Sequence, residues 1–430
     1  MKSTKKFKVF FKRIDNTSFL ILFLTLFLLF SSIVTKAQIS GCTDSRANNY
    51  NPYATQNDGS CVYDKTNYKA REIISSLPEK LIENSGLILF NGMFWTHNDG
   101  GGKAEIYAFD TISALILKTV KLLNASNIDW EDITQDSNNI FIGDFGNNSG
   151  NRDDLIIYKI SKSEVNNHDS VFAKSISFSY PDKEGSNTGI NNHNFDCEAF
   201  FCFNDSLYLF SKNWANNKTK LYTLPTDTGI FEANLIDSFN VDGLITAADI
   251  FEDSSQVVLL GYKNYNPFIW LLFDYKKNDF FSGNKRRIDL NGLLGCQAEA
   301  VCFTDNKNII FSSEKSAVIK NKVFGIYFWQ WVNDISNSKN SSYYIDDTLI
   351  KIYPNPANDN VKIVFDKSIN KRVKIKIFDN NLKKISDLKV NLNRLCPKEI
   401  FIDLKDVNPG IIYFQIFIGK KKVLKKIIVN

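Results

Sequence analysis

Five times between Glu83 and Phe328 the 430-residue chain repeats one plan. The repeats begin "ENSGLILFNGMFWTHND" at Glu83, "DWEDITQDSNNIFIGDF" at Asp129, "DCEAFFCFNDSLYLFSK" at Asp196, "TAADIFEDSSQVVLLGY" at Thr246 and "QAEAVCFTDNKNIIFSS" at Gln297. Each holds an apolar segment, a polar turn such as Asn91-Gly92, Ser137-Asn138 or Asp205-Ser206, and a second apolar segment. A third follows ("EIYAFD", "LIIYKI", "KLYTLP", "FIWLLF", "VFGIYF"), and four of the five add a fourth, such as "LILKTVKLL". These segments are rich in aromatic and β-branched residues, and no long 3.6-period stretch interrupts them, so they read as strands. From Ser85 through Glu131, Glu198 and Ala248 to Glu299 the steps are 46, 67, 50 and 51 residues. Four short strands in a unit of that length is the pattern of a propeller blade. The fold predicted is therefore all-β, with a five-bladed β-propeller over residues 67–334 and a six-bladed one as the alternative. The fifth repeat lacks its fourth strand. "YKAREIISSLP", Tyr68 to Pro78, precedes the first repeat and is expected to supply it, because an unclosed ring would leave two unpaired edges.

The flanks have different chemistry. Lys2, Lys5, Lys6, Lys8, Lys12 and Arg13 precede the apolar run Phe19 to Val34, and Thr35-Lys36-Ala37 then offers small residues. Residues 1–37 are expected to be a secretory signal peptide, the run being short for a spanning helix. "ISGC", Ile39 to Cys42, matches a lipobox, but Lys36 and Gln38 separate it from the apolar run. Export permits disulfides. The seven cysteines leave at least one unpaired within the chain, and Cys42 with Cys61 is the best pair. They bracket a small module, residues 38–66, with turn formers at Asn51-Pro52 and Asp58-Gly59. This stretch is similar to short Cys-bracketed repeats of secreted bacterial surface proteins. It reads as a stapled spacer, or as a calcium contact through Asp44, Asn57 and Asp58. The net charge of +5 is concentrated at the two ends, with no nucleic-acid-binding motif beside it, so no nucleic-acid partner is expected.

The polar stretch 335–349 reads as a linker. Beyond it, "IKIYPNPANDNVKIVFD", "VKIKIFDNNLKKI", "IFIDLKDVNPGIIYFQI" and a lysine-rich end follow in order. Val361, Ile363 and Phe365, like Val373, Ile375 and Ile377, alternate with polar residues as half-buried strands do. Residues 350–430 closely resemble the type A C-terminal sorting domain of the type IX secretion system of Bacteroidota. The motifs are Tyr353-Pro354-Asn355-Pro356, Asp403-Leu404 and Gly410. Asn380-Asn381 stands in place of the usual glycine-containing turn, and the aromatic after Gly410 comes one residue late, at Tyr413. The resemblance implies a small β-sandwich, the type IX secretion machinery as partner, and a protein secreted or attached to the outer cell surface. Between Tyr68 and Trp331, "ENSGL", "WTHNDGG", "FIGDFGNN" and "DCEA" resemble SdiA-regulated-type and esterase-like-phytase propellers.

Two sets of residues in the repeats carry chemistry. Acid-x-acid triplets open several first strands. Aligned, they give one column of Glu83, Asp129, Asp196, Thr246 and Gln297, and another of Ser85, Glu131, Glu198, Ala248 and Glu299. Residues two apart on a strand share a face. Asp129, Glu131, Asp196, Glu198 and Glu299 should therefore crowd one mouth of the channel. There they need hydrogen-bond donors, such as backbone N–H groups of the next blade, or a hard cation, calcium first. The second set ends the second strands: His97, Asn98, Asp99, Asp144, Lys212 and Glu314, with Trp214 and Tyr262 nearby. They should ring one face as a ligand site. The chain has no Gly-x-Ser-x-Gly elbow, no His-Glu-x-x-His and no phosphate loop. The readings are a surface propeller binding an unknown ligand, a metal-dependent hydrolase of lactonase or phosphoesterase type, and a structural adhesion or gliding component.

Overall fold

Strands that are apolar on both faces must be covered on both faces, and here sheets cover one another. The computed structural model describes residues 38–183, 189–251, 255–332, 350–365, 373–379, 384–390, 399–405, 407–418 and 421–430. The expected signal peptide, the linker at 335–349 and the Asn380-Asn381 turn lie outside the described residues. The chain divides into two compact units, Met1–Asn333 and Asp334–Asn430.

In the first unit, five inner strands each head an antiparallel sheet. They are β1 (Asn84–Phe90), β2 (Trp130–Gln135), β3 (Asp196–Phe203), β4 (Leu244–Phe251) and β5 (Ala298–Phe303). β1 lies against β2, β2 against β3, β3 against β4, β4 against β5, and β5 against β1. Each pair of neighbouring sheets buries its own apolar layer. Trp95 and Trp130 fill the layer between the first two sheets, and Phe141 and Phe200 the next. Phe201 and Phe280 fill the third layer, Ile269 and Phe311 the fourth. Phe109 and Val323 belong to the fifth, which joins the last sheet to the first. A buried Phe or Ile contributes about 1.5–3 kcal/mol by leaving water, so these layers are the main cohesion of the propeller-like ring.

Short parallel segments join the sheets at their outer edges. Ser170–Val171 adds to the first sheet on its way to the outer strand of the second, and Gly229–Glu232 adds to the second on its way to that of the third. Near the N-terminus, Thr66–Tyr68 pairs in parallel with Asn284–Leu290 of the fourth sheet. Three residues after Tyr68, Arg71–Ile74 pairs antiparallel with Lys322–Tyr327 and completes the fifth. One short segment thus serves two neighbouring sheets and not, as expected from sequence, the fifth alone.

The Cys42–Cys61 disulfide closes the small N-terminal module. The module rests on the fourth sheet. Asn57 donates to Asn284 Oδ1 at 3.0 Å, and the Arg286 guanidinium lies 4.8 Å from the centre of the Tyr63 ring.

In the second unit, one three-stranded sheet (Ile350–Tyr353, Asn360–Phe365, Glu399–Asp403) and one four-stranded sheet share a core. Val361, Ile363, Val373, Ile375, Ile377, Phe414 and Ile416 lie in it, the inward members of the alternating patterns.

Candidate functional site

Each inner strand breaks its pairing register once near its start. On β2, Asp132 opposes Gly143 and Trp130 opposes Asp144, leaving Glu131 as the extra residue. On β3 the residue skipped is Glu198, on β4 Thr246 and on β5 Glu299. On β1 the irregularity falls at Gly86-Leu87. Gly86 has φ 66°, and a Cβ there would sit 2.6 Å from the Ile133 nitrogen, so a side chain is excluded. A bulge re-aims its side chain and often lies beside a functional site. Here the bulges turn three glutamates into one cavity. The fourth repeat is out of register with the columns expected from sequence. Thr246, not Ala248, is the counterpart of Glu198 and Glu299, because the bulge rather than the distance to the turn sets equivalence.

The cavity holds about 480 Å³ and is lined by Asp99, Glu131, Glu198, Lys212, Glu299 and Glu314, with Trp214, Tyr262 and Tyr265 as aromatic wall. Asn148, Gln297 and Val318 are among its other lining residues. Lys212 lies 2.5 Å from Glu198 Oε2, and both side chains are buried. The Lys212 ammonium is also 4.8 Å from the centre of the Trp214 ring and 5.5 Å from that of Tyr262. Burial works against its charge. Glu198, Tyr262 and Glu299 outweigh burial and hold the ammonium well above its usual pKa.

Carboxylate oxygens of Asp99, Asp129 and Glu131 lie within 4.8 Å of one another. Glu131 is only 5% exposed, and the charges acting on its carboxylate are those of other carboxylates, Glu198, Asp99, Asp129 and Asp196. A Cβ on Gly146 would sit 2.1 Å from Glu131 Oε1 and 2.5 Å from Asp129 Oδ2, so glycine there leaves room for both carboxylates. Burial, then the charges of Asp99 and Asp196, push Asp129 up to about 7. Burial, then Glu198 and Asp99, push Glu131 well above the usual range. Glu299 is raised to about 7 and Glu314 to about 9, by burial first. Oxygen donors without cysteine or histidine suit a hard ion such as calcium, and Asp99, Asp129 and Glu131 fit one.

The structure separates the residues that the sequence grouped. Of the second set, Asp99, Lys212 and Glu314 line the cavity. His97 does not. It is wholly buried, edge-on to Trp130 at 5.4 Å, and burial lowers its pKa to about 4. Asn98 donates its amide to Lys80 O. Asp144 pairs with Arg152 at 3.0 Å and accepts the Asp129 N–H. Of the acidic set, Asp196 accepts the Asn147 N–H at 2.7 Å and the Trp214 Nε1–H at 2.8 Å. It lies beside the cavity as a satisfied acceptor. In the N-terminal module, Asp44 accepts from Arg46 N–H and Tyr63 O–H, and Asn57 and Asp58 accept from the N–H groups of Gly59 and Ser60. Those oxygens hold turns.

Two residues escaped the sequence reading. Asp132 is buried between inner strands, and its signal was an acid at a core position of an apolar strand. Tyr265 sits at a hairpin tip after Asn264, with φ 61° and 49° respectively. Its signal was a two-residue turn between strands with tyrosine where glycine is usual.

Residues 351–430 match the secretion system C-terminal sorting domain. Such a tail directs type IX secretion to the cell surface or beyond it. Among the described residues no helix is long and apolar enough to cross a membrane. No curated protein matches the chain. Among solved structures it is similar to PorZ of Porphyromonas gingivalis, an essential surface component of the type IX secretion system. That likeness has 13% identity and a TM-score of 0.28, and covers 81% of this chain and 45% of PorZ, less than half of its length. It is also similar to a putative 6-phosphogluconolactonase of Bacteroides uniformis, at 11% identity and a TM-score of 0.33, covering 76% of this chain and 90% of that one. A quinonprotein alcohol dehydrogenase-like protein of Bacteroides thetaiotaomicron gives 10% identity and a TM-score of 0.29, with 74% and 68% covered. Likenesses this low carry nothing about activity.

Proposed function

We propose that this is a secreted or surface-displayed binding protein. Its five sheets are the blades of a five-bladed propeller, its tail is a β-sandwich sorting domain, and the bulge-lined cavity takes the ligand with a divalent cation, calcium first. One observation carries the reading. Glu131 is buried, its carboxylate lies within 4.8 Å of those of Asp99 and Asp129, and the charges acting on it are all carboxylates. Unpaired buried carboxylates repel, and a cation offsets that repulsion. Asp99, Asp129 and Glu131 would hold the ion, while Lys212 neutralises Glu198.

The test is thermal unfolding with calcium against chelator. A ligand bound only by the folded state, at 100 times its Kd, stabilises by about 2.7 kcal/mol. A higher Tm in calcium, lost in Glu131→Gln, is expected. Identical melting curves in calcium and chelator would remove the cation from this reading.

A second reading is hydrolysis of lactonase type. It is favoured by Glu299, raised to about 7 in the same cavity, where a carboxyl can give and take a proton near neutral pH. A bound metal would supply an activated water. Turnover of an uncharged lactone, absent in Glu299→Gln, would decide for it.

A further inference from the structure

We infer that the organic ligand of this cavity is a cation, presenting a primary ammonium or guanidinium group to Glu299 and Glu314 beside the faces of Tyr262 and Tyr265. This rests on the reading of the cavity as a ligand site and adds the chemical class.

The first argument is charge. Asp99, Glu131, Glu198, Glu299 and Glu314 line the cavity, and Lys212 is the one lysine among the lining residues. Lys212 is already held by Glu198 at 2.5 Å. A divalent ion at Asp99, Asp129 and Glu131 would still leave Glu299 raising the cost of ionising Glu314, whose one side-chain donor among the described residues is the Gln297 amide at 3.2 Å. An anionic ligand, such as a phosphate ester, would add to the repulsion. A neutral polyol would leave it unchanged. An organic cation offsets it, and a guanidinium can engage a carboxylate with two parallel hydrogen bonds.

The second argument is the aromatic wall. The rings of Tyr262 and Tyr265 lie nearly parallel, 5° apart in plane with centres separated by 6.5 Å. Ring faces attract cations within about 6 Å. The cavity already uses this contact internally, since the Lys212 ammonium lies over Trp214 and Tyr262.

The third argument is Tyr265 itself. Its φ of 61° is left-handed, a conformation that is a rare outlier for a bulky residue. The residue is 71% exposed, so the ring adds little to the core. Its carbonyl accepts the Gly295 N–H at 2.8 Å, which fixes the tip over the fifth sheet's loop, and any residue could supply that carbonyl. A strained tyrosine with little packing role, on the lip of an acidic cavity, fits a ring kept for a ligand.

The experiment is isothermal calorimetry on the purified protein with saturating calcium. The probes are Nα-acetyl-lysine amide and Nα-acetyl-arginine amide. The uncharged controls are Nα-acetyl-norleucine amide and maltotriose. The charged probes are expected to bind at least tenfold more tightly than either control. Glu314→Gln should weaken them at least tenfold. Tyr265→Gly should weaken them about threefold or more while keeping or raising Tm, because glycine suits the turn; this separates lost binding from lost folding. Equal affinity for norleucine amide or maltotriose would overturn the cationic class and leave a ligand cavity standing. Lack of binding by both charged probes, or unchanged binding in Glu314→Gln, would also overturn it. The calcium-dependent Tm shift reads the cation site separately in each case.

Discussion

Asp132 Oδ2 on β2 accepts the backbone N–H of Phe200 on β3 at 3.0 Å, across two sheets. The same oxygen accepts the Ala248 N–H of β4 at 3.4 Å, and Oδ1 takes the Ile133 N–H at 2.8 Å. One wholly buried carboxylate therefore ties three inner strands together. Asp132→Ala would leave the Phe200 and Ala248 donors unpaired in the core. At about 1–3 kcal/mol for each unsatisfied group, the loss should be about 2–6 kcal/mol. Asp132→Asn keeps an acceptor oxygen and should lose less than half as much. Urea unfolding of both variants checks this, and an alanine variant as stable as the parent would refute it.

The buried Lys212–Glu198 pair makes a different prediction. Lys212→Met would leave a buried carboxylate without its counter-charge, and breaking such a pair typically costs about 3–5 kcal/mol. Replacing both, Lys212→Met with Glu198→Gln, should restore much of that stability, since no uncompensated charge remains. A double-mutant cycle by denaturant unfolding measures the coupling. Additive single and double variants would mean the 2.5 Å contact is not a stabilising pair in solution.

Much of this architecture was legible because repetition and strand periodicity are local properties. The five first strands, their turns and the alternation of the tail could be read from residue types alone. The bulges could not. Whether Thr246 or Ala248 matches Glu198 depends on one unpaired residue, and nothing in "TAADIF" marks it. His97 shows the same limit. A histidine beside Asn98 and Asp99 at a strand end has the composition of a site, yet it packs on Trp130 because that strand end is still between two sheets. The acid columns, by contrast, are legible in the sequence, because carboxylates at strand starts stand out against an apolar background.

Ring closure depends on residues 66–74. Their removal would unpair Lys322–Tyr327 in the fifth sheet and the outer strand Asn284–Leu290 in the fourth at once. Exposed strand edges recruit other chains. The truncated protein should aggregate, or melt well below the parent, by light scattering and calorimetry. A monomer with an unchanged Tm would show that the ring is held without this segment.

The carboxylate cluster predicts how stability follows pH. Asp129 and Glu299 are both raised to about 7, above the ~4 of an unfolded carboxyl. The folded state therefore keeps protons that the unfolded chain has released. Their contribution is complete below about pH 4 and is lost as pH rises through about 7. In chelator, Tm should fall between pH 5 and pH 8. A cation binds the ionised carboxylates, so protons compete with it, and the Tm difference between calcium and chelator should widen over the same interval. Glu131→Gln removes one of the repelling charges. It should raise Tm in chelator at pH 8 and abolish the calcium effect. Differential scanning fluorimetry across the pH series reads all three. A chelated protein that grows more stable from pH 5 to pH 8 would mean the cluster is ionised and satisfied by hydrogen bonds, and the cation would have no role in holding it.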